Sequence, residues 1–164
     1  MTSFAMSEGR KLRCKVRAVV TDDMGRILLI RPYGYEPDCW TLPGGGVEAG
    51  ETMAQAASRE LQEELGLSHA QTAGTVPLNI RSEFIYSDNH KAKRGLDHDG
   101  QLTELFHCRL SPGTVIRRQV EEIEAVGWFT RDEALVAFKV AAQRELFERC
   151  LGRLDENTGK DRAA

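Results

Sequence analysis

Gly45-x5-Glu51-x7-Arg59-Glu60-Leu61-x-Glu63-Glu64-x-Gly66-Leu67 is the stretch on which the reading of this 164-residue chain turns. Thr52 and Gln55 have the spacing of a helix capping box, and Gly66 is a residue that stops helices. Between them Ala54, Ala57, Leu61 and Leu65 recur at three- and four-residue intervals, which predicts a helix with one buried stripe. Glu60, Glu63 and Glu64 gather on an adjoining face, because helix positions three and four apart lie one above the other. Like charges so placed destabilise an isolated helix by roughly 0.2–0.5 kcal/mol per pair. A divalent cation offsets that repulsion, and hard carboxylate oxygens suit magnesium, with manganese able to substitute.

Magnesium rarely sits in a cage made wholly of protein; it keeps waters and takes phosphate oxygens from its substrate. A carboxylate not engaged by the ion is then free to act as general base toward water. The spacing leaves open which of Glu60, Glu63 and Glu64 does which. Gly44, Gly45 and Gly46, just ahead of the helix, let main chain come close to a ligand.

The pattern resembles the signature of the Nudix hydrolases, a family that cleaves nucleoside diphosphates linked to another group. At residue frequencies of ~5–7%, such a set of identities arises by chance on the order of once in 10⁹ starts. The resemblance covers residues 45–67 and shows no departure from the family pattern. It implies that Glu60, Glu63 and Glu64 hold metal together with the main-chain carbonyl of Gly45. It also implies an ion pair between Glu51 and Arg59 that braces the loop and holds Glu60. Glu63, Glu60 and Arg59 then form the catalytic set. Family members generally draw another acid from a later loop. Among Glu121, Glu122 and Glu124, which precede Trp128-Phe129, we expect Glu121 or Glu124.

Outward from the signature, Arg13–Thr21 and Ile27–Ile30 flank Asp22-Asp23-Met24-Gly25 and read as a β-hairpin. Trp40-Thr41-Leu42 reads as a short strand stopped by the glycine run. Val76–Tyr86, Leu102–Leu110 and Ala125–Phe129 read as further strands, and Asp132–Arg149 as a helix striped by Ala134, Leu135, Phe138, Ala142, Leu146 and Cys150. Together these predict an α/β fold, an α/β/α sandwich with a central mixed β-sheet. The expected organisation is a flexible N-terminus over 1–12, one domain over 13–151, and a polar tail over 152–164. The polar segment 87–100 reads as a loop whose Lys91 and Arg94 meet substrate phosphates. Arg31 is a further phosphate contact, and Tyr35 a residue that stacks on a base.

Composition narrows the partners. The net charge of −3 and pI of about 5.8 argue against a sequence-independent nucleic-acid binder. Residues 45–67 carry Glu48, Glu51, Glu60, Glu63 and Glu64 against Arg59, so the acidity is concentrated beside the helix. Cys14, Cys39, Cys108 and Cys150 form no C-x-x-C pair and read as reduced thiols of a cytoplasmic protein. No apolar run is long enough for a membrane span. The expected partner is a small-molecule nucleoside diphosphate derivative, with a homodimer left open. Two rivals share the fold. A nucleotide-sensing module without catalysis tends to lose motif glutamates, and an isopentenyl diphosphate isomerase tends to carry an altered motif with histidine ligands. The unbroken signature speaks for hydrolysis.

Overall fold

The computed structural model describes residues 1–163. Strand β2 (Arg10–Thr21) is the spine, and its burial alternates as its side chains do. Leu12, Cys14, Val16 and Ala18 are buried, while Lys11, Arg13, Lys15 and Arg17 remain partly open. With β3 (Ile27–Pro32) it forms the expected hairpin across Asp22–Arg26. The other strands are β1 (Phe4–Ser7), β4 (Gly44–Gly46), β5 (Val76–Ile85), β6 (Gly100–Arg109) and β7 (Ile123–Phe129).

The seven-stranded sheet runs β5-β6-β2-β3-β7, with β1 and β4 also pairing to β2. β2 and β6 are parallel and every other pairing is antiparallel, so the sheet is mixed. Helix α1 (Met53–Leu65) packs on one face through Ala56, Ala57, Leu61 and Leu65, against Val16, Ala18 and Phe106. Helices α4 (Arg131–Ala137) and α5 (Ala141–Ala163) cover the other through Ala134, Phe147 and Cys150, against Val19, Leu29 and Leu105. The α/β/α sandwich stands. No helix among the described residues is long and apolar enough to cross a membrane.

Several expectations need correction. Residues 1–12 are not a flexible terminus: Phe4–Ser7 pairs antiparallel with Arg10–Arg13, and Lys11 Nζ sits 4.3 Å over the Phe4 ring. Within the polar segment expected after 151, α5 carries on to Ala163. The helix expected over Asp132–Arg149 is two helices. Phe138 turns to an extended conformation and buries against Phe147, and Arg144 donates to the Leu135 and Phe138 carbonyls freed by the break. Within 87–100, Ser87 caps a short helix α3 (Asp88–Arg94) that Gly95 ends. A further short helix, α2 (His69–Thr72), follows α1 behind its own Ser68–Gln71 capping box. Of Trp40-Thr41-Leu42, Thr41 alone bridges, to Ile30, and the glycines thought to stop it are themselves the strand. Ala54 is exposed and Ala56 takes its place in the core, because α1 is rolled so that Glu64 faces inward.

Candidate active site

The glycine strand β4 lies antiparallel on β2, with Gly44 opposite Arg17, Gly45 opposite Val16 and Gly46 opposite Lys15. Its lack of side chains is a requirement of packing. A Cβ at Gly44, whose φ is 150°, would strike the Val16 carbonyl oxygen and come within 2.8 Å of Arg17 Cα. At Gly45 it would run into the Glu60 carboxylate. The bare strip therefore lets carboxylates of α1 and cations of β2 approach one another.

Arg59 organises the acidic side. Its Nε and Nη2 donate to the two Glu51 oxygens at 2.7 and 3.0 Å, and Nη2 also donates to the Gly46 carbonyl at 2.9 Å. Nη1 reaches Glu60 Oε1 at 3.0 Å and Glu63 Oε2 at 3.2 Å. A planar guanidinium suits this forked arrangement. These hydrogen bonds from Arg59 hold the Glu51 carboxyl below the usual carboxylate range.

Glu60 and Glu64 move the other way. Burial raises Glu60 in spite of Arg59. Burial pushes Glu64, only 7% exposed, up to about 7; the Gly44 N–H donating to its Oε2 at 3.0 Å opposes this, while the charges of Glu60 and Glu122 add to it. The side chain of Glu63 is 54% exposed, against 14% for Glu60. On the cationic side, Arg17 Nη1 donates to the Leu42 carbonyl at 3.0 Å and the Gly44 carbonyl at 3.4 Å. Burial lowers Lys15 to about 8, and Arg17 and Arg13 add to the effect.

Beside this strip opens a cavity of about 360 Å³. Lys15, Arg17, Leu42, Phe84, Tyr86 and Gln101 are among the residues that line it. Phe84 and Tyr86 meet edge to face at 5.9 Å, and Gln101 donates to the Tyr86 hydroxyl at 2.8 Å. A late loop closes the far end of α1. The Arg117 and Gln119 N–H groups donate to the Leu65 and Glu64 carbonyls, satisfying acceptors that a helix end leaves free.

A model of the NUDIX domain matches residues 11–150. The chain belongs to the Nudix family. It is 31% identical over 144 residues to the RNA pyrophosphohydrolase of Acidiphilium cryptum, a match covering 84% of this chain and 86% of that protein. Other curated relatives match over shorter spans: that of Halorhodospira halophila is 44% identical over 68 residues, 42% of this chain and 36% of its own length. In fold the chain is similar to the E. coli dihydroneopterin triphosphate pyrophosphohydrolase, at a TM-score of 0.69 and 23% identity over 83% of this chain and 92% of that one. As a Nudix enzyme it hydrolyses a pyrophosphate linkage in a nucleotide derivative.

Nudix hydrolases generally use a divalent cation, and the residues here fit one. Glu60 and Glu64 are oxygen donors on successive turns, both raised by burial, so a cation would stabilise their ionised forms. Among the described residues no three acidic, cysteine or histidine side chains converge on one point. Glu60 and Glu63 both turn to Arg59 instead. That set suits an ion completing its coordination with water and substrate oxygens.

The structure brings together Glu51, Arg59, Glu60, Glu63, Glu64 and Gly45. It does not bring the looser substrate contacts to the cavity. Arg31 donates to the Pro37 carbonyl and pairs with Glu124 at 3.3 Å, its guanidinium 5.0 Å over Trp40. Tyr35 is exposed. Lys91 pairs with Asp99 at 2.6 Å, and Arg94 is exposed on the last turn of α3. In the late loop the charge of Glu122 adds to the rise of Glu64, Glu124 pairs with Arg31, and Glu121, like Glu122, is exposed. Lys15, Arg17, Phe84 and Tyr86, all outside the signature, line the cavity. The alternation of Arg13, Lys15 and Arg17 with buried neighbours was the available signal.

Proposed function

We propose that this enzyme is a magnesium-dependent pyrophosphohydrolase acting on nucleoside diphosphate derivatives. Two features support the reading: acids of α1 raised by burial, and a cavity whose lining includes both cationic (Lys15, Arg17) and aromatic (Phe84, Tyr86) side chains. Glu60, Glu64 and the Gly45 carbonyl hold the cation, which supplies charge neutralisation at the phosphate oxygens. Glu63 is the base. Of the three motif acids it is the most open, as a group that receives a proton from water needs to be. Water oxygen adds to phosphorus, its proton passes to Glu63, and the bridging P–O bond breaks with its electrons leaving on the departing phosphate. Arg59 positions Glu60 and Glu63, and Glu51 holds Arg59. The nucleoside lies toward Phe84 and Tyr86, with its phosphates toward Lys15.

A second reading, an RNA as substrate, is favoured by the likeness to the Acidiphilium cryptum RNA pyrophosphohydrolase. The four unpaired thiols support a cytoplasmic location. One assay tests the function. Purified protein is offered nucleoside triphosphates, nucleotide sugars, ADP-ribose, dinucleoside polyphosphates and a 5′-triphosphorylated oligoribonucleotide, with magnesium or with chelator. Turnover of a mononucleotide derivative only with metal supports the first reading, and turnover of the oligonucleotide alone supports the second. Tight binding without any turnover would favour a sensor. Glu63→Gln is expected to slow hydrolysis at least ~10²-fold while leaving stability unchanged.

A further inference from the structure

We infer that Lys15 receives the diphosphate of the substrate, joining the cavity that takes the nucleoside to the carboxylates that carry the hydrolysis. The inference rests on the hydrolase reading above and adds a residue outside the signature.

Three observations carry it. Lys15 stands opposite Gly46 on the bare strip, lines the cavity, and acts by its charge on both Glu60 and Glu64. It is therefore the cation common to the two halves of the site, together with Arg17. Those two differ in occupation. Arg17 spends its Nη1 on the Leu42 and Gly44 carbonyls, shaping the loop. Among the described residues the motif carboxylates pair with Arg59, and Lys15 pairs with no acid.

The third observation is cost. An ammonium mostly withdrawn from water, with Arg13 and Arg17 as neighbours on its own strand, is held in an unfavourable place. A polyanion in the cavity offsets both penalties at once. A compact charge with three rotatable donors suits tetrahedral phosphate oxygens, and a guanidinium at the same place would serve them as well. The plain alternative is a lysine whose stem packs over Leu42 while its head finds water. In that case the charge would be dispensable for binding.

The test compares wild type, Lys15→Met, Lys15→Gln and Lys15→Arg. Titration calorimetry with α,β-methylene-ADP, with magnesium and with chelator, gives affinity without turnover. Lys15→Met and Lys15→Gln are expected to bind at least ~10-fold more weakly in both conditions and to raise KM more than they lower kcat. Lys15→Arg is expected to stay within about threefold of wild type. On the unaltered protein, acetylation of Lys15 by acetic anhydride, read by peptide mass spectrometry, should slow at least ~10-fold when the analogue is present. Wild-type affinity in either neutral variant, or acetylation untouched by the analogue, overturns the inference. The two failures are distinct: an enzyme that turns over its substrate equally well without the Lys15 charge refutes this assignment alone, whereas a wild type that turns over nothing refutes the hydrolase reading.

Discussion

Replacing Glu64 by glutamine should make the protein inactive and, above neutral pH, more stable. Glu64 is 7% exposed, and burial raises it from an ordinary 4.5 to about 7. Its folded form therefore binds a proton more tightly than its unfolded form, so stability falls as pH rises between those values. Below 4.5 both states are protonated and nothing is lost. Above about 7 the full penalty applies, and at ~1.4 kcal/mol per pH unit it amounts to about 3 kcal/mol. Glutamine keeps an oxygen to accept from the Gly44 N–H and carries no charge, so Glu64→Gln removes the penalty without vacating that bond. For a domain of this size the gain corresponds to a rise in Tm of about 6–12 °C at pH 8.5, shrinking to nothing near pH 4.5. Urea unfolding of both proteins at pH 4.5 and 8.5, in chelator, measures it. Magnesium should then stabilise wild type and leave the variant unmoved, because the ion replaces the proton as partner of the carboxylate. A difference below ~1 kcal/mol at pH 8.5, or one equal at both pH values, would refute the reasoning.

Four further expectations follow from the same geometry. Arg59→Met removes the hydrogen bonds to Glu51, Gly46, Glu60 and Glu63 and leaves Glu51 mostly buried without its partner, which should cost about 3–5 kcal/mol in urea unfolding. Because Arg59 holds the Glu51 carboxyl low, the stability from this pair is whole above 4.5 and is lost as pH falls through the lowered value, so wild-type and Glu51→Gln stability curves should converge in acid. Glu122→Gln should slow hydrolysis more than Glu121→Gln or Glu124→Gln, since the Glu122 charge acts on Glu64 while Glu124 is paired with Arg31. Gly44→Ala drives a methyl group into Val16 and Arg17 backbone and should destabilise by more than ~2 kcal/mol, read as a loss of Tm.

What could be read without coordinates is local. Helix α1 begins behind Thr52 with both bonds of its capping box made, and ends at Gly66 with φ 66°, as those residue types require. The β2–β3 hairpin follows from two apolar runs and the Asp/Gly turn between them. The acid cluster follows from helix periodicity alone. Boundaries slipped where a distant contact outweighed local propensity. Phe138 leaves the helical pattern because its ring is buried against Phe147, and Arg144 can then bond the freed carbonyls.

By itself the chain determined the reaction class, because the signature is short-range: its spacing fixes which side chains share an edge of one helix. The cavity proposed for the substrate was decided only by the tertiary fold. Lys15, Phe84 and Tyr86 lie far from the signature in the chain and reach one cavity because β2, β5 and β6 pair in a particular register. That register is set by which faces bury apolar surface, a property of the whole sheet that no single strand encodes. The late loop is a second case: it is anchored by bonds to the carbonyls at the end of α1, and Glu124 pairs with Arg31, contacts that no local pattern encodes.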